Sequence, residues 1–363
     1  MLNPPQNVRL IADVVDIEKD EKGQIGIAIG GGAPHCPCLY VVQIFENSPA
    51  RKNGLLGVGD EIVAVNGKVL KGYEKNVVAS MIRDVKGVVR ISFNRLHLVA
   101  DTDVVQTLDI LLKKFKHRLV DSMDEATADA LGFSRAILCN DVLAQLKTRM
   151  DQKQQFYGAL IKKTGEMARC YQQMAATQSA VGAVLAEIQA KERPSSEGDV
   201  ASDIGQVTAD LAPTHKILAK EHLTVAQNIE EMVRTLQCHA NAAIPDARQS
   251  LGKYLDAKYE FLAYCLRTKE LEDEEAETAF ENGEQLLRME TGNYEYRMTL
   301  KKRDQSRISF MEKREKAAVK IELLDEKHVR ELALHLKTLM NSLKMAHFAS
   351  RKELIKSLQQ RTK

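Results

Sequence analysis

The sequence has no tryptophan, and aromatic residues make up only 5% of its 363 residues. Because aromatic side chains supply much of the buried surface in thick globular cores, this shortage argues against a single compact core. Long hydrophobic runs are also missing, since no stretch approaches the ~18 consecutive apolar residues that a membrane-spanning helix requires. The first residues lack an apolar segment behind a basic start, so we expect no secretory signal peptide.

Cysteine is scarce, and the six cysteines are scattered along the chain without the spacing of a disulfide framework. This usage favours a reducing compartment, so we expect a cytoplasmic protein. A large charge of one sign is missing too, because 52 basic and 50 acidic residues leave a formal net charge of +2. Any basic surface must therefore be local, and we expect no nucleic-acid partner.

The motifs of common enzymes are absent from the sequence. The stretch IGIAIGGG does not fit the dinucleotide pattern G-x-G-x-x-G, because the third position from Gly26 is Ala28 and the sixth from Gly30 is His35. No Lys-Ser or Lys-Thr follows it as a Walker loop requires. The stretch GFSRA lacks the second glycine of a nucleophile elbow, and H-E-x-x-H does not occur. We therefore expect a protein that is not an enzyme and requires no cofactor.

The hydrophobic pattern divides the chain into two parts. Residues 8–98 alternate with period two in short runs such as DEIVAVNG and VVRISF, which Gly, Asn and Pro separate. One helical stretch, YEKNVVASMIRDV, precedes the last run. This pattern predicts a small β-rich domain, and the remainder of the chain predicts helices.

From Thr107 onward the period becomes that of coiled-coil helices. The stretch TLDILLKKFKHRLV places an apolar stripe beside basic residues, which suits a helix in an anionic lipid interface and equally a linker helix packed on its neighbour. A long heptad pattern follows. The apolar residues that we assign to it are Leu146, Met150, Tyr157, Leu160, Met167, Tyr171, Met174, Val181, Leu185 and Ile188.

Two breaks divide this part into three long helices. The stretch ERPSSEGD ends the first, and the second runs to about Lys269 with a kink at Pro245. We expect the acidic run ELEDEEAE and the stretch ENGEQ to mark the next turn, and the third helix to run from about Asn293 nearly to the end. The predicted fold class is a multidomain α+β protein, in which an elongated three-helix bundle follows the β-rich domain. Heptad stripes of this length cannot be buried within one chain, so we expect a homodimer.

Two stretches of the β-rich part resemble a PDZ domain. QIGIAIGG is similar to the carboxylate-binding loop and second strand of that family, and NSPARKNGLLGVGDEIVAVNG is similar to its following signature. The resemblance implies that consecutive amides bind the C-terminus of a peptide, which adds to the sheet as a strand. With Lys75 and Ala79 on the facing helix, it implies apolar ligand tails with tolerance for Ser or Thr. The peptide-binding residues are then Lys19, Asp20, Ile25, Gly26, Ile27, Ile29, Lys75, Val78, Ala79 and Ile82.

The Cys36-Pro37-Cys38 sequence is short of a zinc site. Two thiolates are too few for tetrahedral zinc without further ligands, although His35 is adjacent. Two interpretations stay open: exposed loop thiols without a stable metal, or a weak or shared site for zinc, redox chemistry or membrane contact at Cys36 and Cys38.

The helical part resembles the arfaptin-like BAR domain in the stretches KHRLVDSM, TADALGFSRAILCND, AIPDARQSLGKYLDAKYEFLAYCL and TGNYEYRM. A PDZ domain with a BAR domain implies a scaffold that binds C-terminal tails of receptors, transporters and protein kinase C, together with curved anionic phospholipid membranes. The basic residues expected to face lipid are Lys113, Lys114, Lys116, Arg248, Lys253, Lys258, Arg267 and Lys269.

The same resemblance implies receptor trafficking at synapses, endocytosis and vesicle formation near the Golgi, with small GTPases and the actin machinery as further partners. The main alternative is a helical scaffold that binds small GTPases, with lipid binding secondary. The predicted domain boundaries are 8–98 for the PDZ domain, 99–130 for an amphipathic linker and 131–355 for the BAR domain.

Overall fold

The computed structural model describes residues 8–98, 104–123, 142–191, 200–281 and 292–359. The chain forms two compact units. The first joins Met1–Cys139 to Lys253–Glu315, and the second joins Asn140–Gly252 to Lys316–Lys363. Among the described residues, none of the helices combines the length and apolar character needed to cross a membrane.

The N-terminal domain is an antiparallel sheet of six strands. The strands are β1 (Val8–Glu18), β2 (Ile27–Gly31), β3 (Leu39–Ile44), β4 (Glu61–Val65), β5 (Lys68–Val69) and β6 (Val88–Leu98), with helices α1 (Pro49–Asn53) and α2 (Lys75–Asp84) between them. They lie in the order β1-β6-β4-β3-β2, and β5 pairs with β4 outside this path. β2 therefore forms one edge of the sheet.

The period of two in the sequence matches the burial of the strands. In β6, Val89, Ile91 and Phe93 are buried, whereas the residues between them are exposed or half-buried. A strand with one face on the core and one toward solvent has this alternation. A β-rich N-terminal domain followed by helices is confirmed.

A buried carboxylate closes the turn before β4. Asp60 is 1% exposed, and its two oxygens accept hydrogen bonds from the amides of Gly57, at 2.8 Å, and Leu96, at 3.0 Å. Hydrogen bonds from backbone amides satisfy both oxygens of this buried carboxyl group. The Gly-Asp-Glu-Ile stretch that resembles the PDZ signature therefore fastens β4 to β6.

The rest of the described chain is helical. The helices are α3 (Val104–Ser122), α4 (Val142–Lys191), α5 (Val200–Cys238), a π-helix (His239–Ala243), α6 (Ile244–Glu281) and α7 (Tyr294–Gln359). The prediction of a third long helix from about Asn293 is confirmed by α7. The acidic run ELEDEEAE was wrongly predicted to be part of the turn, because α6 continues through it to Glu281. The stretch ENGEQ, which was predicted with it, begins at Glu281 and otherwise lies outside the described residues.

In the first unit, the sheet domain shares its apolar core with α6 and α7. Leu271 of α6 and both Tyr296 and Leu300 of α7 are buried in the same cluster as the strands. A second small cluster joins the ends of β1 and β6 to the first turns of α7. The N-terminal domain is thus packed on helices by apolar burial, the main favourable term in folding.

Arg297 lies at the centre of this contact and is 0% exposed. Its Nε donates a hydrogen bond to the carbonyl of Gly59 at 2.9 Å, and its Nη1 donates to the carbonyl of Gly292 at 3.4 Å. Its guanidinium lies over the rings of Tyr40 and Tyr294, at 5.8 and 5.0 Å from their centroids. Backbone carbonyls and aromatic faces therefore compensate part of the cost of burying this charge, while Nη2 has no hydrogen-bond partner among the described residues.

Gly59 permits the close approach of α7. Its φ is +84°, and a Cβ there would lie 2.5 Å from the carbonyl oxygen of Arg297. At the other end of the contact, Arg51 donates two hydrogen bonds to Asp304 at 2.8 and 3.1 Å. A bidentate pair of this kind fixes orientation as well as adding attraction.

The second unit is a bundle of α4, α5, the start of α6 and the later part of α7. Small side chains recur every seven residues on α4, at Ala168, Ala175 and Gly182, and all three are buried. A Cβ on Gly182 would lie 3.2 Å from the carbonyl oxygen of Ala212, so α5 packs closely there. Small residues at a heptad spacing form the narrow seam of a coiled coil.

The kink expected at Pro245 coincides with the π-helix. Pro245 has no amide hydrogen, and the amide of Ile244 donates to the carbonyl of His239, five residues back. A single π-turn absorbs the change in hydrogen-bond register that a proline imposes on a continuous helix. The second predicted helix is therefore two α-helices joined by a π-turn.

Candidate functional site

A groove of about 650 Å³, including its part open to solvent, lies between β2 and α2. Its lining residues come from the loop before β2, from β2, from the end of β3 and from α2. They are Gly23, Gln24, Ile25, Gly26, Ile27, Ile29, Phe45, Ala79, Ile82 and Arg83. Six of the ten residues predicted to bind a peptide belong to this lining. They are Ile25, Gly26, Ile27, Ile29, Ala79 and Ile82.

The groove runs along a sheet edge that can accept another strand. β2 is the last strand in the order of the sheet and pairs on one side with β3. An edge strand presents unpaired amides and carbonyls on its other side, which an extended peptide can pair with. The half-buried Ile27 and Ile29 alternate with Ala28 along this edge.

The loop before β2 presents free amides at one end of the groove. The carbonyls of Ile25 and Gly26 accept hydrogen bonds from the amides of Ala50 and Phe45, both at 3.0 Å. Within the described part of the chain, the amides of Ile25 and Gly26 have no acceptor of their own. Adjacent unpaired amides make a concavity that binds an anion, such as a carboxylate.

Gly26 is required for this loop by the protein itself. Its φ is +77°, and a Cβ would lie 2.1 Å from the Cβ of Ser48. A side chain at this position would therefore strike the start of α1 before any ligand arrived. The sequence identified Gly26 as a residue of the carboxylate-binding loop. The structure shows that a side chain there would collide with Ser48 of the protein itself, and not only with a bound ligand.

Lys19 and Asp20 shape the loop and do not line the groove. The Lys19 ammonium donates to the carbonyls of Arg83, at 2.8 Å, and Val85, at 2.5 Å, and so ties the end of β1 to the end of α2. The Asp20 carboxylate accepts from the amides of Lys22, at 3.0 Å, and Gln24, at 2.8 Å. In such a turn an aspartate side chain accepts hydrogen bonds from amides a few residues later in the chain, which fixes the backbone conformation of the loop.

On α2, the predicted residues separate into two groups. Ala79 and Ile82 line the groove, whereas Val78 is fully buried in the core of the domain. Lys75 is exposed at the first turn and is outside the lining. The assignment of Val78 to peptide contact is therefore corrected: it supports α2 from behind.

Sequence reasoning missed Phe45 and Arg83. Phe45 follows β3 and is 49% exposed, although it lines the groove. Arg83 lies four residues after Ala79 on α2. Because residues at this spacing share one face of a helix, the sequence offered a signal for Arg83. Arg83 brings a cation to the groove, a charge that suits the anionic end of a peptide.

Cys36 and Cys38 are buried, which corrects the expectation of exposed loop thiols. They are 2% and 5% exposed, their sulfur atoms are 3.6 Å apart, and Cys38 also donates to the carbonyl of Gly292. The hydrogen bond from Cys38 lowers the pKa of Cys36 to about 7, while burial opposes this shift. The same hydrogen bond and burial raise the pKa of Cys38.

These thiols do not have the ligands of a zinc site. Among the residues that the structure describes, no group of three or more His, Cys, Asp or Glu side chains is placed to hold a metal ion. Two thiols alone leave half of a tetrahedral shell without protein ligands.

The basic residues of α3 are paired with acidic residues of α6. The Lys113 ammonium lies 2.9 Å from Glu270, and Lys114 and Arg118 lie 2.8 and 3.1 Å from Asp256. The opposite side of α3 is apolar and exposed, with the large residues Leu108, Leu111, Leu112, Phe115 and Leu119. Two of the charges expected to face lipid, Lys113 and Lys114, therefore attach α3 to α6, whereas the third, Lys116, is exposed. The apolar stripe of α3 is open.

The basic residues of α6 are mostly engaged as well. Arg248 lies 2.5 Å from Asp151, and Arg267 lies 2.6 Å from Glu295. Lys258 is only 5% exposed, so its prediction as a lipid-facing residue is corrected. Lys253 and Lys269 are exposed and form no ion pair with another described residue.

The comparisons with known proteins agree with this architecture. The family model of the PDZ domain matches residues 14–93, and that of the Arfaptin-like domain matches residues 111–354. PRKCA-binding protein from Homo sapiens and its counterpart from Rattus norvegicus are each 41% identical over 330 residues, which are 91% of this chain and 77% of theirs. A solved PDZ domain of Dlg1 from Monosiga brevicollis covers 23% of this chain at 21% identity, with a TM-score of 0.22.

Both matched domains belong to interaction and scaffold types, and no catalytic family is among these matches. The edge strand, the amide loop and the long helices fall within the matched ranges, except for the end of α7 beyond residue 354. The chain belongs to the family of PDZ proteins with an Arfaptin-like domain that includes PRKCA-binding protein.

Proposed function

We propose that this protein is a dimeric adaptor at membranes. Its groove captures the C-terminal tails of membrane receptors and transporters and, as the name of its relatives suggests, of protein kinase C. Its Arfaptin-like region holds the dimer on curved anionic phospholipid membranes. The adaptor thereby organises receptor trafficking, endocytosis and vesicle formation from the cytoplasm, at synaptic, vesicular and Golgi membranes.

Peptide capture is supported by one observation: the open edge of β2 lies next to two amides that have no acceptor among the described residues. A peptide that pairs with β2 ends at the loop, where its carboxylate meets the amides of Ile25 and Gly26. The apolar side chains of Ile25, Ile27 and Ile82 surround that end, so a large apolar last residue is preferred. Ala79 is small and leaves room for a second apolar side chain.

A titration with two forms of one peptide tests this proposal. A fluorescent decapeptide that ends in valine binds the full-length protein, and its C-terminal amide binds at least about tenfold more weakly, because the amides of the loop lose an ionised acceptor. Equal affinity of the acid and the amide would remove the loop from the site. Substitution of Gly26 is unsuitable here, because its Cβ would strike Ser48 in the free protein.

Dimer formation rests on apolar residues that one chain leaves open. In the second unit, α4 exposes Phe156, Met174, Val181 and Val184. The later part of α7 exposes Leu323, Val329, Leu334, Leu336, Met340, Met345 and Phe348. Stripes of this size mark a protein interface, and a second copy of the chain supplies a matching surface by symmetry. Sedimentation equilibrium of the full-length chain at micromolar concentration gives twice the monomer mass, and a monomer would contradict the proposal.

Membrane attachment rests on the open apolar stripe of α3 and on the exposed lysines of α6. The residues from Leu108 to Leu119 form a face that can lie in the interfacial region of a bilayer. Lys253 and Lys269 add charge that attracts anionic headgroups. Pelleting with liposomes of phosphatidylcholine and phosphatidylserine tests membrane attachment. Vesicles of pure phosphatidylcholine are the control, because they present a bilayer without the anionic charge.

A second function is favoured by the ion pairs of α3 and α6. Because Lys114, Arg248 and Arg267 are engaged by carboxylates, fewer cations remain for headgroups than the sequence indicates. A scaffold that binds small GTPases through its helices needs no such basic surface. Pull-down with GTP-loaded small GTPases, beside the liposome assay, distinguishes the two functions.

A further inference from the structure

The bundle of the second unit is rich in histidine. The chain has nine histidines, and the second unit contains His215, His222, His239, His328, His335 and His347. Four of these, His222, His239, His328 and His347, lie within two clusters that each join three helical segments. Histidine titrates near neutral pH, so such clusters respond to modest acidification.

The first aromatic–histidine cluster consists of Tyr157 on α4, His239 in the π-helix and His328 on α7. The Tyr157 ring stacks on His239, with centroids 5.9 Å apart, and meets His328 edge-on at 5.1 Å. The Tyr157 hydroxyl is hydrogen-bonded to Nδ1 of His328. Tyr157 is 2% exposed and His239 is 5% exposed, so the cluster is part of the interior.

Charged groups surround this first cluster on each helix. On the side of His239, Glu331 binds its Nε2, and Lys327 lies 3.6 Å from the same carboxylate. On the side of His328, Lys153 of α4 is paired with Asp325 of α7. Nδ1 of His239 is buried and has no partner among the described residues.

The second aromatic–histidine cluster repeats this arrangement further along the bundle. Tyr171 on α4 lies 5.9 Å from His222 on α5, and His347 on α7 is close enough for its charge to act on His222. The other neighbouring charge is Glu221, on the same helix as His222. Nδ1 of His222 is also buried without a partner among the described residues.

We propose that the two clusters make the bundle a proton-sensitive element: below about pH 6.5 an opened bundle takes up protons that the packed His222 and His328 resist, so acidification loosens the packing around the clusters. A proton on His328 faces His239 and Lys153. A proton on His222 faces His347. The first cluster lies at the π-helix, because the carbonyl of His239 accepts its i+5 hydrogen bond and the ring of His239 stacks on Tyr157.

The direction of the effect follows from burial and from these like charges. Burial, Lys153 and His239 lower the pKa of His328, and burial and His347 lower the pKa of His222. The unfolded chain therefore takes up these protons first as the pH falls below about 6.5, and stability is lost from there down to the folded-state pKa values.

Glu331 titrates outside this window. Burial raises its pKa, but the hydrogen bond from His239 and the charge of Lys327 outweigh burial and leave the pKa below its usual value. The stability that this carboxylate contributes is present above about pH 4.5 and is lost only below it. Cys36, whose pKa is about 7, and His117, whose pKa is lowered by burial, also respond between pH 7.5 and 5.5. Both are the same in every variant compared, so the difference between the variants reports on the cluster histidines.

Thermal unfolding of the full-length protein tests the proposal at pH 7.5 and 5.5 and constant ionic strength. The Tm of the wild type falls by roughly 5 °C between these values, and the fall is at least halved in the double variant His222→Phe with His328→Phe. Phenylalanine keeps a ring at both positions and cannot take a proton. The matched control, His97→Phe with His335→Phe, removes two histidines outside the clusters and keeps the fall of the wild type.

An equal fall in the wild type and in the cluster variant overturns the proposal. Histidine NMR titration of the wild-type protein gives an independent answer if the cluster variant does not fold. The ring signals of His222 and His328, assigned with single His→Gln variants, titrate below the ~6.5 of an unperturbed histidine. Titration of both at or above that value also overturns the proposal.

Discussion

Arg297 shows how one buried charge joins the sheet domain to α7. No described carboxylate neutralises it. Its contacts are the carbonyls of Gly59 and Gly292, the sulfur of Cys38 at 3.9 Å and two tyrosine rings, and its Nη2 has no hydrogen-bond partner among the described residues. Hydrogen bonds from a charged donor are stronger than neutral ones, and a buried cation without them would be costly. The stability of the first unit therefore depends on the shape and the donors of this one side chain.

We predict that Arg297→Ala destabilises the first unit by about 3 kcal/mol, because two charge-assisted hydrogen bonds and the packing between the rings are lost. Arg297→Lys recovers little, since an ammonium cannot span both carbonyls from between the rings. Denaturant unfolding of the full-length chain measures the change. The control Arg314→Ala removes an exposed arginine of the same helix and is expected within about 0.5 kcal/mol of the wild type.

Ala79 sets the space that the groove offers beside α2. We predict that Ala79→Leu weakens peptides with a large apolar residue two positions from their end by about tenfold, because the added side chain fills the lining. Peptides with glycine at that position lose little. Fluorescence anisotropy measures both affinities, and Val77→Leu, which changes an exposed residue of α2 outside the lining, is the matched control. A uniform loss for both peptides would mean that α2 itself was displaced.

At the scale of elements, α4 shows what a heptad pattern predicts and what it leaves open. The period was correct, and Met150 and Tyr157 are buried as expected. Further along, Met174 and Val181 are exposed, while the neighbouring Ala175 and Gly182 form the seam. A pattern of apolar side chains points to the large residues, but the distance between the helices selects the small ones.

The same limit applies to charge on α3 and α6. The basic residues were visible in the sequence, but their partners Asp256 and Glu270 lie far from α3 along the chain. Pairing across such a distance depends on tertiary packing, which no local pattern encodes. The groove was more predictable, because its loop, strand and helix each carry a local signal and follow in a fixed order.

Two glycines of α4 separate helix propensity from packing. We predict that Gly158→Ala raises the stability of the second unit by about 1 kcal/mol, because nothing lies within 4 Å of the added Cβ. Gly182→Ala gains the same propensity but brings its Cβ to 3.2 Å from the carbonyl oxygen of Ala212, so the gain is cancelled or reversed. Thermal unfolding measures both variants, and an equal gain at the two positions would contradict the close seam.

The open stripe of α3 makes a separate prediction. Leu112 is 69% exposed, and Leu112→Glu is expected to reduce pelleting with anionic liposomes severalfold while peptide affinity stays unchanged. A glutamate at the interface loses apolar burial and is repelled by anionic headgroups. The control Val69→Glu makes the same change at an exposed position of β5. Loss of pelleting in both variants would show that net charge alone controls binding.

At the scale of the whole molecule, the proposed adaptor works through combined weak contacts. A dimer carries two grooves and two copies of each membrane contact, so a tail bound at one groove raises the effective concentration of the second groove and of the lipid contacts. Neither contact needs high affinity alone. This arrangement suits tails that are themselves attached to a membrane, because both ligands then lie on one surface.

Salt sensitivity distinguishes this arrangement from a solvated basic face. Each lysine near an anionic surface contributes about 1 kcal/mol before screening, and the attraction decays over a Debye length of roughly 8 Å at physiological salt. We predict that Lys253→Glu with Lys269→Glu, two exposed positions of α6, strongly reduces pelleting with phosphatidylserine liposomes at physiological salt and flattens its salt dependence. The control, Lys71→Glu with Lys86→Glu, makes the same change in charge on exposed positions of the sheet domain and keeps most of the pelleting. If the α6 variant pellets like the wild type at every salt concentration, the lysines do not contact lipid, and binding of small GTPases becomes the better account of the helical region.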